Sequence, residues 1–255
     1  MISCNLQGGL GNQMFQISAT YALSLRNNDT CCFNFNQCYT PLQGKPSSNY
    51  RNNVFINIVE NNDYKPKVGY TEPRFGYKEL PYASGLILNG YFQSEKYFSD
   101  YENEVKKLFI VDKNNAEKFL NTIKKDGLPI TSIHIRRGDY VNLSDMHRLC
   151  TLEYFQEAMD IIGKSIFVIV SDDLEWVKEN VKGDMIYYSP FQNEIDDLAM
   201  IICCDNNIIS NSSFSWWGAY LNENTNKRVI APKLWFGPKG PKDTEDIIPS
   251  TWVKR

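Results

Sequence analysis

Residues 134–140 read His-Ile-Arg-Arg-Gly-Asp-Tyr and follow the apolar run Ile130-Thr-Ser-Ile-His-Ile135. A strand over 130–135 would deliver two arginines, a carboxylate and one of only two histidines to its C-terminal end, where open parallel sheets bind ligands. Guanidinium groups there suit phosphate, because their planar fork donates paired charged hydrogen bonds and does not lose its charge. Arg136, Arg137, Asp139 and His134 are therefore candidate contacts to a phosphorylated ligand. The His134 imidazole reads equally as a satisfied core group.

Four further clusters carry polar side chains at strand ends. Gly8-Gly-Leu-Gly-Asn-Gln13 follows a short apolar run and opens a helical pattern. Gly9 and Gly11 would let a ligand approach the backbone, the helix start offers free N–H groups, and Asn12 and Gln13 add reach. Ser171-Asp-Asp173 follows a second apolar run. Its acids could bridge a divalent metal, accept from a nucleoside at Asp172, or cap the next helix. Ser210-Asn-Ser-Ser-Phe-Ser-Trp-Trp-Gly218 again joins a strand to a helix. Asn211, Ser212, Ser213, Phe214 and Ser215 could form an uncharged anion cradle, whereas Trp216 and Trp217 read as core. In Gly90-Tyr-Phe-Gln-Ser-Glu95, Gln93 and Glu95 could hold sugar hydroxyls, and Ser94 reads as a cap. A dinucleotide fingerprint fails, since Met14 stands where a third small residue is required and no acid ends the second strand. That makes an NAD(P) oxidoreductase a minor alternative, beside a catalytically silent sugar- or nucleotide-binding module.

The elements that must hold these clusters alternate. Strands are expected at Ile2–Leu6, Thr30–Phe35, Leu86–Leu88, Ile130–Ile135, Ser165–Val170, Met185–Tyr188, Asn207–Ile209 and Arg228–Ala231. Helices are expected at Asn12–Leu25, Tyr97–Phe109, Leu152–Ile162, Leu174–Val181, Glu194–Cys204 and from Ser213 or Phe214 onward. Short β-rich runs between helices of about ten residues predict βαβ units and parallel sheets. Residues 36–85 show no clear period, and Lys124–Pro129 reads as a hinge. The expected fold class is α/β, with two Rossmann-like lobes facing each other across a cleft, residues 1–125 and 126–255.

Composition narrows the function. With 255 residues, 42% hydrophobic and a net charge of −3, the chain reads as a soluble globular protein and not as a nucleic-acid binder, which would need a broad basic face. No apolar run reaches the roughly 20 residues of a membrane span and no cleavable signal is evident, so a cytoplasmic protein is expected. Seven cysteines, two pairs of them adjacent, point to reduced thiols. The absence of Cys-x-x-Cys argues against a structural metal.

Three segments together, Gly8–Gln16, His134–Tyr140 and Ser210–Ala219, resemble the α-1,2-fucosyltransferases of the bacterial and animal type, with Gly90–Phe98 and Ser171–Asp173 similar as well. The resemblance implies a GT-B-type glycosyltransferase that moves L-fucose from GDP-β-L-fucose to the 2-hydroxyl of a terminal galactoside with inversion. Arginine and helix N-termini would supply the positive field, so neither a metal nor a cofactor is expected. Its acceptor would be a galactose-terminated oligosaccharide or glycan precursor, and a lipid-linked acceptor would be met by peripheral contact with a membrane. The resemblance also implies residue roles. Arg136 would hold the pyrophosphate, with Arg137 in support and Asp139 orienting Arg136 or meeting the nucleoside. Asn12 would reach from the acceptor-side lobe, and the C-terminal lobe would bind GDP-fucose through Asp172 and the Ser210–Ser215 loop. The base for the acceptor hydroxyl stays open between Glu95, Asp139 and none at all.

Overall fold

The computed structural model describes residues 1–36, 44–125 and 127–255. The chain divides into two compact units, Met1–Ile110 with Lys242–Pro249, and Val111–Pro241 with Ser250–Arg255.

The first unit holds strands β1 (Ser3–Cys4), β2 (Val68–Thr71) and β3 (Leu86–Asn89), parallel and in the order β1-β3-β2. Helix α1 (Leu10–Arg26) follows β1 and is buried on nearly every side, through Met14, Phe15, Ile17, Ala19, Ala22 and Leu23. Its interior hydroxyls are satisfied within the helix. Ser18 Oγ donates to the Met14 carbonyl and Thr20 Oγ1 to that of Gln16, both at 2.7 Å. The segment expected as a strand at Thr30–Phe35 forms only the isolated bridges Ile2–Cys31 and Phe33–Glu60. Asn and Asp side chains there take up backbone N–H groups that a ladder would need: Asp29 accepts from Thr30, Asn34 from Asn36 and Asn62 from Phe35. The helix expected at Tyr97–Phe109 is shorter. Two 3-10 turns, Glu95–Tyr97 and Ser99–Tyr101, precede α2 (Glu102–Leu108).

The second unit is a six-stranded parallel sheet of β4 (Ile130–Ile135), β5 (Ile166–Ser171), β6 (Ile186–Tyr188), β7 (Asn206–Ile208), β8 (Val229–Ala231) and β9 (Val253–Lys254), in the order β6-β5-β4-β7-β8-β9. Helices α3 (Asn114–Ile123), α4 (Leu152–Ile162), α5 (Leu174–Asn180), α6 (Glu194–Cys203) and α7 (Ser213–Leu221) complete it. Every residue of β4 is buried, as a strand covered on both faces requires. On one face Ile130, Val168 and Val170 pack with Leu120 of α3 and Ile201 of α6. On the other, Ile133, Ile169 and Ile230 pack with Phe155 of α4 and Val177 of α5. The chain runs outward from β4 to β6, then returns to β4's other side through β7. That reversal makes the C-terminal ends of β4 and β7 the switch point where such sheets bind ligands.

The units part between Ile110 and Val111, ahead of the boundary expected at 125/126. The cause is α3, which buries Ala116, Leu120 and Ile123 in the second unit's core. Asp126, inside the expected hinge, lies outside the described residues, as do residues 37–43. The six described cysteines carry free thiols, and no helix among the described residues is long and apolar enough to cross a membrane.

Candidate functional site

At the switch point, Ser210 joins the two strand ends. Its hydroxyl donates to the His134 carbonyl (2.5 Å) and accepts from the Arg136 backbone N–H (3.0 Å). The backbone leaving β4 is thereby fixed by a residue just beyond β7, and the Arg136 side chain starts from a rigid base. Its guanidinium lies between two carboxylates: Nη2 is 2.5 Å from Asp139 Oδ1 and Nη1 is 3.0 Å from Asp172 Oδ2. Burial disfavours the Arg136 charge, yet Asp172 and Asp139 outweigh it and hold the group above its ordinary pKa. A guanidinium has five N–H donors. One donor of Nη2 goes to Asp139 and the ion pair at Nη1 draws the group toward Asp172, so the fork is oriented and still has donors for an anion.

Arg137 points elsewhere. Its Nε donates to Asp173 Oδ2 at 3.1 Å, and its guanidinium carbon lies 3.5 Å from the centre of the Trp176 ring, a stacked cation–π arrangement. Its backbone N–H donates to Asp172 Oδ1 at 2.9 Å. Asp172 therefore grips the backbone and side chain of consecutive arginines. Gly138 makes room for it, since a Cβ there would overlap Asp172 Oδ2. Asp173 also caps α5, accepting from the Trp176 N–H at 3.3 Å. The two acids are thus ion-paired with arginines.

Beyond β7 the candidates separate into two groups. Asn211 is a strut: it is buried, its amide donates to the carbonyls of Arg148 (2.7 Å) and Trp235 (2.6 Å), and its Oδ1 accepts from the Cys150 thiol. Both donors are used, so the side chain expected to meet a ligand instead ties three loops together. Ser215 is buried as well and turns its hydroxyl to the Ser212 carbonyl. Ser212 occupies the N-cap of α7 without a side-chain cap bond. The first N–H groups of α7, at Ser213, Phe214 and Ser215, carry the positive end of its dipole. The His134 ring lies 5.4 Å from that of Phe214. It is buried and its Nδ1 has no partner among the described residues. Burial, with Arg136 nearby, pulls its pKa down to about 3, so the imidazole is neutral.

The first unit gathers its candidates at the C-terminal ends of β1 and β3. Gly8 takes the left-handed conformation (φ 77°) and a Cβ there would collide with Asn12, so glycine is required. Gly9 is the N-cap of α1, and Gly11 is buried in its first turn. Asn12 lies inside the helix and does not cap it. Its Oδ1 accepts from Gln93 Nε2 at 2.7 Å. Gln13, expected to reach a ligand, is buried and spent on the protein: it donates to the carbonyls of Gly8 and Lys45 and accepts from Ser47. Ser94 caps the following 3-10 turn. Glu95 is half-buried, with burial raising its pKa and Glu102, Lys106 and Lys96 as its charged neighbours.

The profile of glycosyl transferase family 11 matches residues 1–254. The chain belongs to glycosyl transferase family 11. Among its relatives is the O-antigen biosynthesis glycosyltransferase WbnK of Escherichia coli, 30% identical over 92% of this chain and 95% of that protein. An α-1,2-colitosyltransferase of E. coli is 28% identical over 100% and 98%. A galactoside 2-α-L-fucosyltransferase of Caenorhabditis elegans is 28% identical over 100% and 79%. The resemblance to the α-1,2-fucosyltransferases is borne out. Among solved structures, NodZ α-1,6-fucosyltransferase of Bradyrhizobium, crystallised with GDP, superposes with a TM-score of 0.54 over 85% of this chain and 91% of NodZ, at 12% identity. At that identity the likeness concerns the fold alone, and it agrees with the α/β, GT-B-type class expected from the sequence.

Three roles in this family 11 chain were not legible in the sequence. Ser210 bridges β4 and β7, a role that only topology reveals. Tyr140, whose ring centre is 5.3 Å from the Arg136 guanidinium, stacks on His147 at 4.4 Å, and His147 in turn meets Phe236. His147 is thus part of the wall behind Arg136. The signal available was the aromatic pair seven residues apart after a strand. Glu72, just past β2, accepts from the backbone N–H groups of Tyr91 and Phe92. It lies within the stretch without period, so nothing in the sequence marked it.

Proposed function

We propose that this glycosyltransferase moves L-fucose from GDP-β-L-fucose to the 2-hydroxyl of a terminal galactoside, inverting the anomeric centre and using neither metal nor cofactor. The observation that carries the reading is the Arg136 fork at the switch point, oriented by Asp139 and Asp172 with donors left over. As the bond from fucose to GDP breaks, negative charge grows on the β-phosphate, and a fixed guanidinium stabilises it without reorganising. The N–H groups opening α7 add a positive field beside it. Asp172 and Asp173 serve the arginines in this reading, which leaves the positive field to arginine and backbone. The galactoside acceptor follows the C. elegans fucosyltransferase, the α-1,2 linkage follows that enzyme and the E. coli colitosyltransferase, and GDP as the nucleotide follows NodZ.

The test has three parts. Thermal shift with GDP, GDP-fucose, UDP-sugars and NAD should show stabilisation by the guanosine compounds alone. Purified enzyme should then release GDP from GDP-fucose when lactose is present, and NMR of the product should show an α-1,2 linkage. The rate should be unchanged in excess EDTA. Stabilisation by NAD, or GDP binding without transfer to any galactoside, would replace this reading with an oxidoreductase or a silent binding module respectively. Activity lost in EDTA and restored by Mn²⁺ would overturn metal independence.

A further inference from the structure

The first unit contains an amide whose hydrogen bonding is unfinished. Gln93 is 7% exposed, its Nε2 donates to Asn12, and its Oε1 has no partner among the described residues. Buried polar atoms nearly always find partners, so such an exception asks for an explanation. The pair sits where β1 and β3, adjacent in the sheet, hand the chain to α1 and to the 3-10 turn at Glu95. That is the edge where parallel sheets bind ligands.

The backbone around Gln93 is held in an unfavourable shape. Phe92 adopts φ 51°, a left-handed conformation that a bulky residue avoids. Glu72 maintains it, with its carboxylate accepting from the Tyr91 N–H at 2.7 Å and the Phe92 N–H at 3.1 Å. Gly90 admits this carboxylate, because a Cβ there would overlap the Glu72 side chain. The titratable groups around Glu72 are Cys4 from β1, Tyr70 from β2, and Tyr91 and Tyr97 from the segment after β3. Strain held in this way is characteristic of functional sites.

We propose that the Asn12–Gln93 pair is a sugar-hydroxyl subsite, in which Gln93 Oε1 accepts from one non-reacting hydroxyl of the fucosyl donor or the galactoside, and Glu72 is the positioning residue that aims it. The neutral amide favours a hydroxyl over a charged group. Turning both amides over exchanges donor for acceptor, and a hydroxyl, which is both, satisfies either arrangement. The subsite rests on the fucosyl-transfer reading and adds to it the residue that senses the sugar.

The experiment compares kcat/KM for GDP-fucose with lactose against analogues that each lack one non-reacting hydroxyl of the fucose or the galactose. The wild-type enzyme should penalise one analogue by about tenfold or more, as a site built around a hydroxyl does. In Gln93→Met, which keeps length and removes the acceptor, that penalty should vanish while the others persist. Glu72→Gln should erase the same penalty and lower kcat, with calorimetric GDP affinity unchanged, a pattern that a merely structural role does not produce. A Gln93→Met enzyme with the wild-type set of penalties overturns the subsite and leaves fucosyl transfer standing. If wild-type enzyme transfers to no galactoside, the function fails and the subsite with it.

Discussion

Replacing Arg136 separates its part in the reaction from its part in the fold. Removing one preorganised donor from developing charge typically raises the barrier by about 2.7–4 kcal/mol, a loss of roughly 10²–10³ in kcat. The stability cost is smaller. Arg136, Asp139 and Asp172 are 33%, 26% and 26% exposed, so each ion pair is screened and contributes on the order of 0.2–1 kcal/mol. Two pairs give at most about 2 kcal/mol, a few degrees in Tm for a chain of this size. Arg136→Ala should therefore lose transfer by at least about a hundredfold in a GDP-release assay while melting only slightly early. Arg136→Lys should recover little, because one ammonium cannot pair with Asp139 and Asp172 and also present a planar fork to phosphate. A lysine variant with near wild-type kcat, or an alanine variant whose melting point collapses along with its rate, would refute the argument.

Asn12→Ala should depress kcat and leave calorimetric GDP affinity nearly unchanged, with some loss of Tm because buried Gln93 Nε2 loses its acceptor; an unchanged kcat would contradict the placement. Asn211→Ala should do the reverse, because the Arg148 and Trp235 carbonyls lose their donor, at about 1–3 kcal/mol for the buried orphans; an unchanged melting curve with weakened GDP binding would restore a ligand role. Burial raises the Glu72 pKa from 4.5 to about 7, against the hydrogen bonds from Tyr91, Phe92 and Tyr97 that lower it. The folded state then holds a proton that the unfolded state releases near pH 4.5, so this group's contribution to stability is present below about 4.5 and is lost as pH rises through about 7. Melting of wild type minus Glu72→Gln should accordingly fall between pH 4.5 and 7 and level off above; a difference independent of pH would count against the burial of this carboxylate.

The second unit was legible because its signals are contiguous. Strand β4 and its arginines are one run of residues, and the rhythm of apolar runs and helices from 130 to 231 translates directly into the parallel sheet. The first unit was less so. Strand β2, Val68-Gly-Tyr-Thr71, is largely exposed, so it shows no alternation that could announce it. Helix α3 did carry a helical signature, with Ala116, Phe119, Leu120 and Ile123 on one face, and reading it would have moved the expected domain boundary toward Ile110. The Thr30–Phe35 segment misled for the opposite reason: its apolar residues suggest a strand, and the neighbouring Asn and Asp side chains take the backbone donors away.

The candidate site shows a deeper limit of motif reading, because a polar residue in a glycine- or serine-rich loop can serve the ligand or the loop. Spacing does not distinguish the two, whereas the count of hydrogen-bonding atoms does. Gln13 and Asn211 looked as promising as any residue in their motifs, yet each gives both amide hydrogens to backbone carbonyls of the protein. They build the loops. Arg136 and Gln93 differ in having capacity left: the guanidinium commits one donor to Asp139 and pairs by charge with Asp172, and the amide leaves Oε1 unused. Each is also held by a partner distant in sequence, Ser210 for the Arg136 backbone and Glu72 for the turn before Gln93. Unspent hydrogen bonding on a rigidly held side chain is what a ligand requires, since the ligand then gains the bond without the cost of ordering the protein.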